Sequence, residues 1–245
     1  MYGLFNLKDK MRKYLAFDES ELKNFIIIVL LLSFIVAFDD GKAEFSAAHW
    51  GINYILVMLL VLPAVFVHVV IQRIFALEYG YKPKLKLSWY MLVIGIILTV
   101  ISAGKFWFFL VPGVFVMDVM EVHRLGYFRY GLSMRQFGWI AAMGCLANIF
   151  LAMIFKALLV FNPQSLMLQM GVSVNIAMAI MNILPIPPLN GSKLFFGSRL
   201  LYFFMLGIIV GMAVFLLVMD SILLSLLFSL ILGVIAIFAA NEYLE

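Results

Sequence analysis

Charge is scarce in this chain. Lys, Arg, Asp and Glu supply only 12% of its 245 residues, where soluble domains carry about a quarter. That shortage excludes a soluble helical bundle, because one core could not hide the apolar majority. The single cysteine, Cys145, excludes an internal disulfide and says little about compartment. No Gly-rich phosphate loop, no low-complexity tract and no basic stripe interleaved with aromatics is present, so nucleic acid is not an expected partner. The first stretch, Met1 to Lys23, mixes both signs of charge and lacks an apolar h-region or a small-residue cleavage site, so it is expected to stay on the mature protein.

Apolar residues make up 66% of the sequence. Several runs reach the length that crosses hydrocarbon, which points to an all-α polytopic membrane protein whose first solvating shell is the lipid bilayer. Asp18-Glu19-Ser20 precedes the first run and reads as a helix start. Residues 1–23 form an N-terminal segment ahead of a single transmembrane domain, 24–245. Spans are expected over Asn24 to Phe38, Gly51 to Leu77 (kinked at Pro63), Phe137 to Phe161, Leu166 to Ile186, Leu194 to Met219, and Ser221 to Ala240.

Leu87 to Met117 is different. It is interrupted at Ala103-Gly104-Lys105, and its second half is too short to span and contains Pro112-Gly113. The basic amino terminus, the turn with Lys82, Lys84 and Lys86, and the connector with Arg124, Arg129 and Arg135 all belong on the cytoplasmic side by the positive-inside rule. The acidic loop near Asp39 then lies outside. This holds only if 87–117 enters and leaves on one side, as a re-entrant hairpin or a short helix plus an extended strand. The expected layout is six spans and one re-entrant element, with both termini cytoplasmic. A full span over Leu87 to Gly104 is the other layout.

Polar residues inside such segments are costly and tend to face the interior. His68 and Gln72 lie four apart, on one helix face. A zinc helix uses that spacing with two His and an intervening Glu. Here the intervening residue is Val69 and the second His is Gln72, and a lone buried His also serves as a plain hydrogen-bonding group. Further on, Pro185, Pro187 and Pro188 break a helix after Asn182, and Asn190-Gly191 suggests a turn before the next span. The stretch either ends a helix in a tight loop or presents backbone and side chains to a cavity. Gly144-Cys145-Leu146-Ala147-Asn148 is small-residue rich, suits close helix packing, and lets Asn148 bond across helices. Asp118, Glu121 and His123 are solvated connector residues or a weak cation site. His49, beside Trp50, is an interfacial residue.

Together, His68-Val69-Val70-Ile71-Gln72, Gly144-Cys145-Leu146-Ala147-Asn148 and Leu184-Pro185-Ile186-Pro187-Pro188-Leu189-Asn190-Gly191-Ser192-Lys193 resemble the site-2 protease family of intramembrane zinc metalloproteases, in its short archaeal form without a PDZ domain. The likeness runs over about residues 53–199. The resemblance implies H-E-x-x-H on one membrane helix, a G-P-x-x-N segment, and a later L-D-G. Zinc would be held by two His and the Asp, with the Glu activating water. Of those positions only His68 survives; Val69, Gln72 and Asn190 replace the Glu, the second His and the Asp. The resemblance also implies that Asn148, Asn182, Pro185 and Pro187 face an extended substrate peptide.

One imidazole and two neutral amides leave a buried dication unneutralised, and Val69 cannot take a proton from water. The expected protein is therefore a catalytically inactive relative with no metal cofactor, in which His68, Gln72 and Asn190 form a neutral hydrogen-bonded cluster. It would bind or escort membrane-embedded or membrane-proximal peptides, with Phe106–Met117 as a candidate edge strand. The second reading is an active zinc protease with relocated ligands, or an engineered inactive form of one. A third, transporter or channel, has no internal repeat and almost no intramembrane charge behind it.

Overall fold

The helix that Asp18 starts, α2 (Glu19–Ala37), begins one turn earlier than its apolar run, and Glu21 accepts the backbone N–H of Asp18 at 3.0 Å. That reach back to the cap satisfies a donor the helix leaves open. Ahead of it stands α1 (Leu4–Tyr14), a helix not anticipated from the mixed charge of the amino terminus. The structure is a computed structural model that describes residues 4–42, 44–119 and 133–244.

After α2 comes α3 (Ala47–Glu78), 32 residues that continue through Pro63. A left-handed Gly80 (φ 83°) then turns the chain. The basic stretch that follows is a strand, β1 (Tyr81–Lys86), rather than a turn. It alternates strictly: Tyr81, Pro83 and Leu85 are buried while the lysines point outward.

Next are α4 (Trp89–Ile101) and β2 (Val114–Val119). At 13 residues, α4 is about 20 Å long, short of the about 30 Å of hydrocarbon. Its end reverses at Ala103 and Gly104, both at positive φ, and a Cβ on Gly104 would lie 2.5 Å from Asp39 Cβ. β2 returns antiparallel to β1, with Lys86 opposite Val114 and Tyr81 opposite Val119. The segment therefore leaves from and comes back to one end of the sheet.

The remaining elements are α5 (Met134–Leu158), α6 (Leu166–Ile183), α7 (Asn190–Gly197), α8 (Arg199–Val218) and α9 (Ile222–Leu244). Among the described residues six helices, α2, α3, α5, α6, α8 and α9, are long and apolar enough to cross a bilayer. This is an all-α polytopic membrane protein with one small two-stranded sheet. Two expected boundaries moved. The span drawn to Ile186 stops at Ile183, because Leu184 precedes a proline and is extended. The span drawn from Leu194 is two helices, α7 and α8, broken at an extended Ser198 whose side chain accepts the N–H of Leu201.

One apolar core joins α2, α3, the hairpin and α6, through residues such as Leu32, Val61, Val65, Leu110 and Met178. A second joins α5 to α8 through Cys145, Ile176, Leu194 and Ile209. α9 lies against α8 at small residues: a Cβ on Gly207 would stand 2.8 Å from Gly233 Cα. Its outer face is exposed, as suits a lipid-facing helix.

Where α1, α2, α3 and β1 converge there is a buried ion pair. Arg73 donates to Glu21 at 2.8 Å, and both side chains are 3% exposed. Glu21 also accepts the N–H of Leu85, Arg73 donates to the carbonyl of Tyr14, and its guanidinium lies over the ring of Phe17. Removing one partner of such a pair leaves an uncompensated buried charge. Glu21→Leu is expected to lower stability by about 3–5 kcal/mol, and Glu21→Leu with Arg73→Met by less than Glu21→Leu alone. Thermal unfolding in detergent measures both; equal losses would remove the ion pair as the cause.

Candidate functional site

His68 lies on the inward face of α3, buried, with polar contacts on both ring nitrogens. Nδ1 is 3.0 Å from Asn148 Oδ1 on α5, and Nε2 is 3.2 Å from Asn190 Nδ2 at the first residue of α7. Asn148 turns its Nδ2 toward Met178 Sδ at 2.9 Å, where it donates, and its oxygen, an acceptor, toward the imidazole. Nδ1 therefore carries the proton, and Nε2 accepts from the Asn190 amide. The imidazole is neutral, and three helices are tied together through one ring.

Gln72, one turn further along α3, does not join this cluster. It donates from Nε2 to the Ala141 carbonyl at 3.1 Å, while its Oε1 has no partner. It fits because residue 144 is glycine: a Cβ there would lie 2.4 Å from Gln72 Nε2. The expected triad of His68, Gln72 and Asn190 is thus His68, Asn148 and Asn190. Helical spacing puts Gln72 on the correct face, but the backbone acceptor on α5 lies closer to hand.

The proline segment positions Asn190 from behind. α6 ends at Ile183; Pro185 and Pro187 are exposed, and the Pro187–Pro188 peptide bond is cis. Asn190-Gly191 forms the first turn of α7 rather than the expected loop. Gly191 is required there by contact: a Cβ would sit 1.9 Å from the carbonyl oxygen of Ile183. Asn182, expected to face a peptide, is buried in α6; its Nδ2 donates to Met178 O at 2.8 Å and reaches Leu110 O at 3.4 Å, and its Oδ1 is unpartnered. It ties the returning hairpin to the site. Asn148 likewise spends both polar atoms inside the bundle.

The hairpin contributes a strand edge. Leu85 turns its N–H to Glu21 and its carbonyl to Asn24, both away from β2. In an antiparallel ladder directly opposed residues turn away together. Phe115, opposite Leu85, therefore directs its N–H and C=O to the outer edge of β2, as does Met117 two residues on. Pro83 shares this parity in β1, so its missing N–H takes nothing from the ladder. At that outer edge Lys193 Nζ donates to the Phe115 carbonyl at 3.0 Å. Asn190 and Lys193 lie three apart on α7 and so share a face, which sets the strand edge about one helical turn from the imidazole. Sequence reading passed over Lys193, although it closes the Leu-Asn-Gly-Ser-Lys stretch.

Other expected positions lie elsewhere. Asp118 pairs with Lys84 at 3.4 Å, while Glu121 and His123 fall outside the described residues. His49 is 3.9 Å from Asp40.

A zinc ion in a catalytic site takes three protein ligands, typically with anionic or imidazole donors. The positions singled out by the resemblance offer one imidazole, whose Nε2 faces an amide N–H, and two carboxamides. Among the described residues no three His, Cys, Asp or Glu side chains come together. This donor set does not fit a zinc dication.

One curated protein, from Methanocaldococcus jannaschii and named as a putative zinc metalloprotease, is 29% identical over 183 residues, covering 72% of this chain and 84% of its own length. The chain is thus similar to a protein named for metalloprotease activity over most of both lengths. No family model matches the chain. No solved structure matches it.

The imidazole arrangement has a direct readout. Nitrogen NMR of labelled histidine near pH 7 is expected to find His68 neutral with the proton on Nδ1. Asn148→Leu strands that N–H and is expected to lower stability by about 1–3 kcal/mol. An Nε2-protonated ring would contradict the bonding pattern.

Proposed function

We propose that this protein is a catalytically inactive site-2-protease-like membrane protein that holds membrane peptides without cutting them. One observation carries the reading: His68 is locked between Asn148 and Asn190 as a neutral ring, with buried Val69 where a water-activating carboxylate would stand. Peptide hydrolysis at a metal needs a bound, polarised water and a base. Neither a cation site nor a base is offered by these side chains. The amide cluster instead supplies what the bundle needs, a satisfied polar contact among α3, α5 and α7.

What supports peptide binding is the outer edge of β2. Its Phe115 and Met117 backbone groups point away from β1, and an extended chain could add there as a further strand. The exposed Pro185 and Pro187 would flank that chain. Asn148 and Asn182 act at one remove, by fixing His68 and the returning hairpin. In this reading both termini and the β1–β2 sheet are cytoplasmic, as the distribution of lysine and arginine favours.

The second reading, an active zinc metalloprotease or an inactivated form of one, is favoured by the similarity to the M. jannaschii protein. Metal analysis separates the two. The purified protein is expected to carry far less than one zinc per chain and to leave transmembrane substrates intact. Val69→Glu, Gln72→His and Asn190→Asp together are expected to confer zinc uptake, because positions 68 and 190 already meet. A tightly bound zinc in the unaltered protein, lost on His68→Ala, overturns the proposal.

A further inference from the structure

Among the described residues, Lys193 is a cation without a counter-ion. The ion pairs there are His49–Asp40, Arg73–Glu21, Lys84–Asp118 and Lys156–Asp220. Lys193 is in none of them. It is partly buried, and its hydrogen bond is to the Phe115 carbonyl. An ammonium has three donors, and one neutral carbonyl compensates neither the remaining two nor the charge. Partial burial of an unpaired charge is unfavourable. The position is therefore unusual for a lysine that merely packs, especially as exposed lysines nearby, such as Lys86, point away from the sheet.

The carbonyl it covers is the acceptor that an added strand would need first. An incoming peptide N–H at Phe115 displaces the ammonium from that oxygen. The freed Nζ then stands beside the peptide, within side-chain reach of the residues flanking the new hydrogen bond. A carboxylate at that place forms a charge-assisted hydrogen bond, about twice as strong as a neutral one, and supplies the missing counter-ion. A basic residue there meets a like charge. An uncharged strand must displace the ammonium with no replacement partner.

We propose that Lys193 makes the β2 edge selective for extended peptides bearing an aspartate or glutamate, by capping Phe115 when the edge is empty and pairing with the peptide carboxylate when it is filled. The proposal rests on the peptide-binding reading above and adds the chemistry of the occupant. Lys193, reaching from α7, also covers one acceptor of that edge, and covering an edge is a way of opposing uninvited pairing.

The test uses the full chain in phosphatidylcholine nanodiscs. Fluorescently labelled peptides of alternating Val and Thr carry a central Glu, Gln or Lys, and N-methylated versions block ladder hydrogen bonds. The Glu peptide is expected to bind about tenfold more tightly than the Gln peptide, the ratio one charge-assisted hydrogen bond supplies. Lys193→Gln levels the two, Lys193→Arg keeps the order, and Lys193→Glu shifts the preference to the Lys peptide. N-methylation abolishes binding of all. Equal binding of Glu and Gln peptides, still abolished by N-methylation, overturns the carboxylate selectivity and leaves strand addition standing. No binding of any peptide overturns both. If phosphatidylglycerol in the nanodisc erases the Glu preference, Lys193 serves a lipid phosphate and the proposal fails.

Discussion

In hydrocarbon, a polar group must find its partner inside the protein, and that requirement organises this molecule. Backbone groups meet it through helices and one strand pair. Side chains meet it in large part, though not at every atom, where elements converge: Glu21 with Arg73, Asn182 with the returning hairpin, and His68 between Asn148 and Asn190. These contacts are also the ones that fix the relative positions of α2, α3, α5, α6 and α7. Apolar packing among them is extensive but tolerant, whereas a buried amide or guanidinium left alone is costly. The polar contacts therefore specify the arrangement that the apolar contacts stabilise.

The same requirement explains the character of the central site. A metal centre gathers anionic ligands around a cation and is satisfied as a set. Here the side chains around His68 are uncharged amides, and a buried imidazole needs a donor on one side and an acceptor on the other. Asn190 and Asn148 supply those two roles. Asn190 is well placed because the proline break and Gly191 bring the start of α7 against the end of α6. The geometry that would present a ligand thus also presents an amide, and the scaffold keeps its shape with a neutral core.

Beside this centre, among the described residues, the hairpin is a two-stranded sheet with no third strand. Its inner strand is anchored on both sides: β1 bonds to β2 and, through Leu85, to Glu21 and Asn24. Its outer strand has an edge guarded by Lys193. The sheet therefore joins the attachment at the Glu21–Arg73 pair to an edge that, among the described residues, no further strand pairs with.

Much of this was legible in the order of residues. The six long apolar helices, the helix start at Asp18 and the opposition of His68 to Asn190 follow from hydropathy and motif order, because those signals are local or carried by a resemblance. The helix α1, the strand at Tyr81–Lys86 and the division of α7 from α8 were not, since short elements are decided by what packs on them. Nor could spacing along α3 reveal that Gln72 turns to Ala141 while Asn148 takes the imidazole. Sequence alone determined what these side chains can do chemically, for no arrangement can make Val69 a base or Asn190 an anion. Tertiary structure alone decided which amide meets which nitrogen, and that Lys193 sits at a strand edge, because hydrogen bonds between distant segments depend on distances of a few tenths of an ångström that no pattern in the chain encodes.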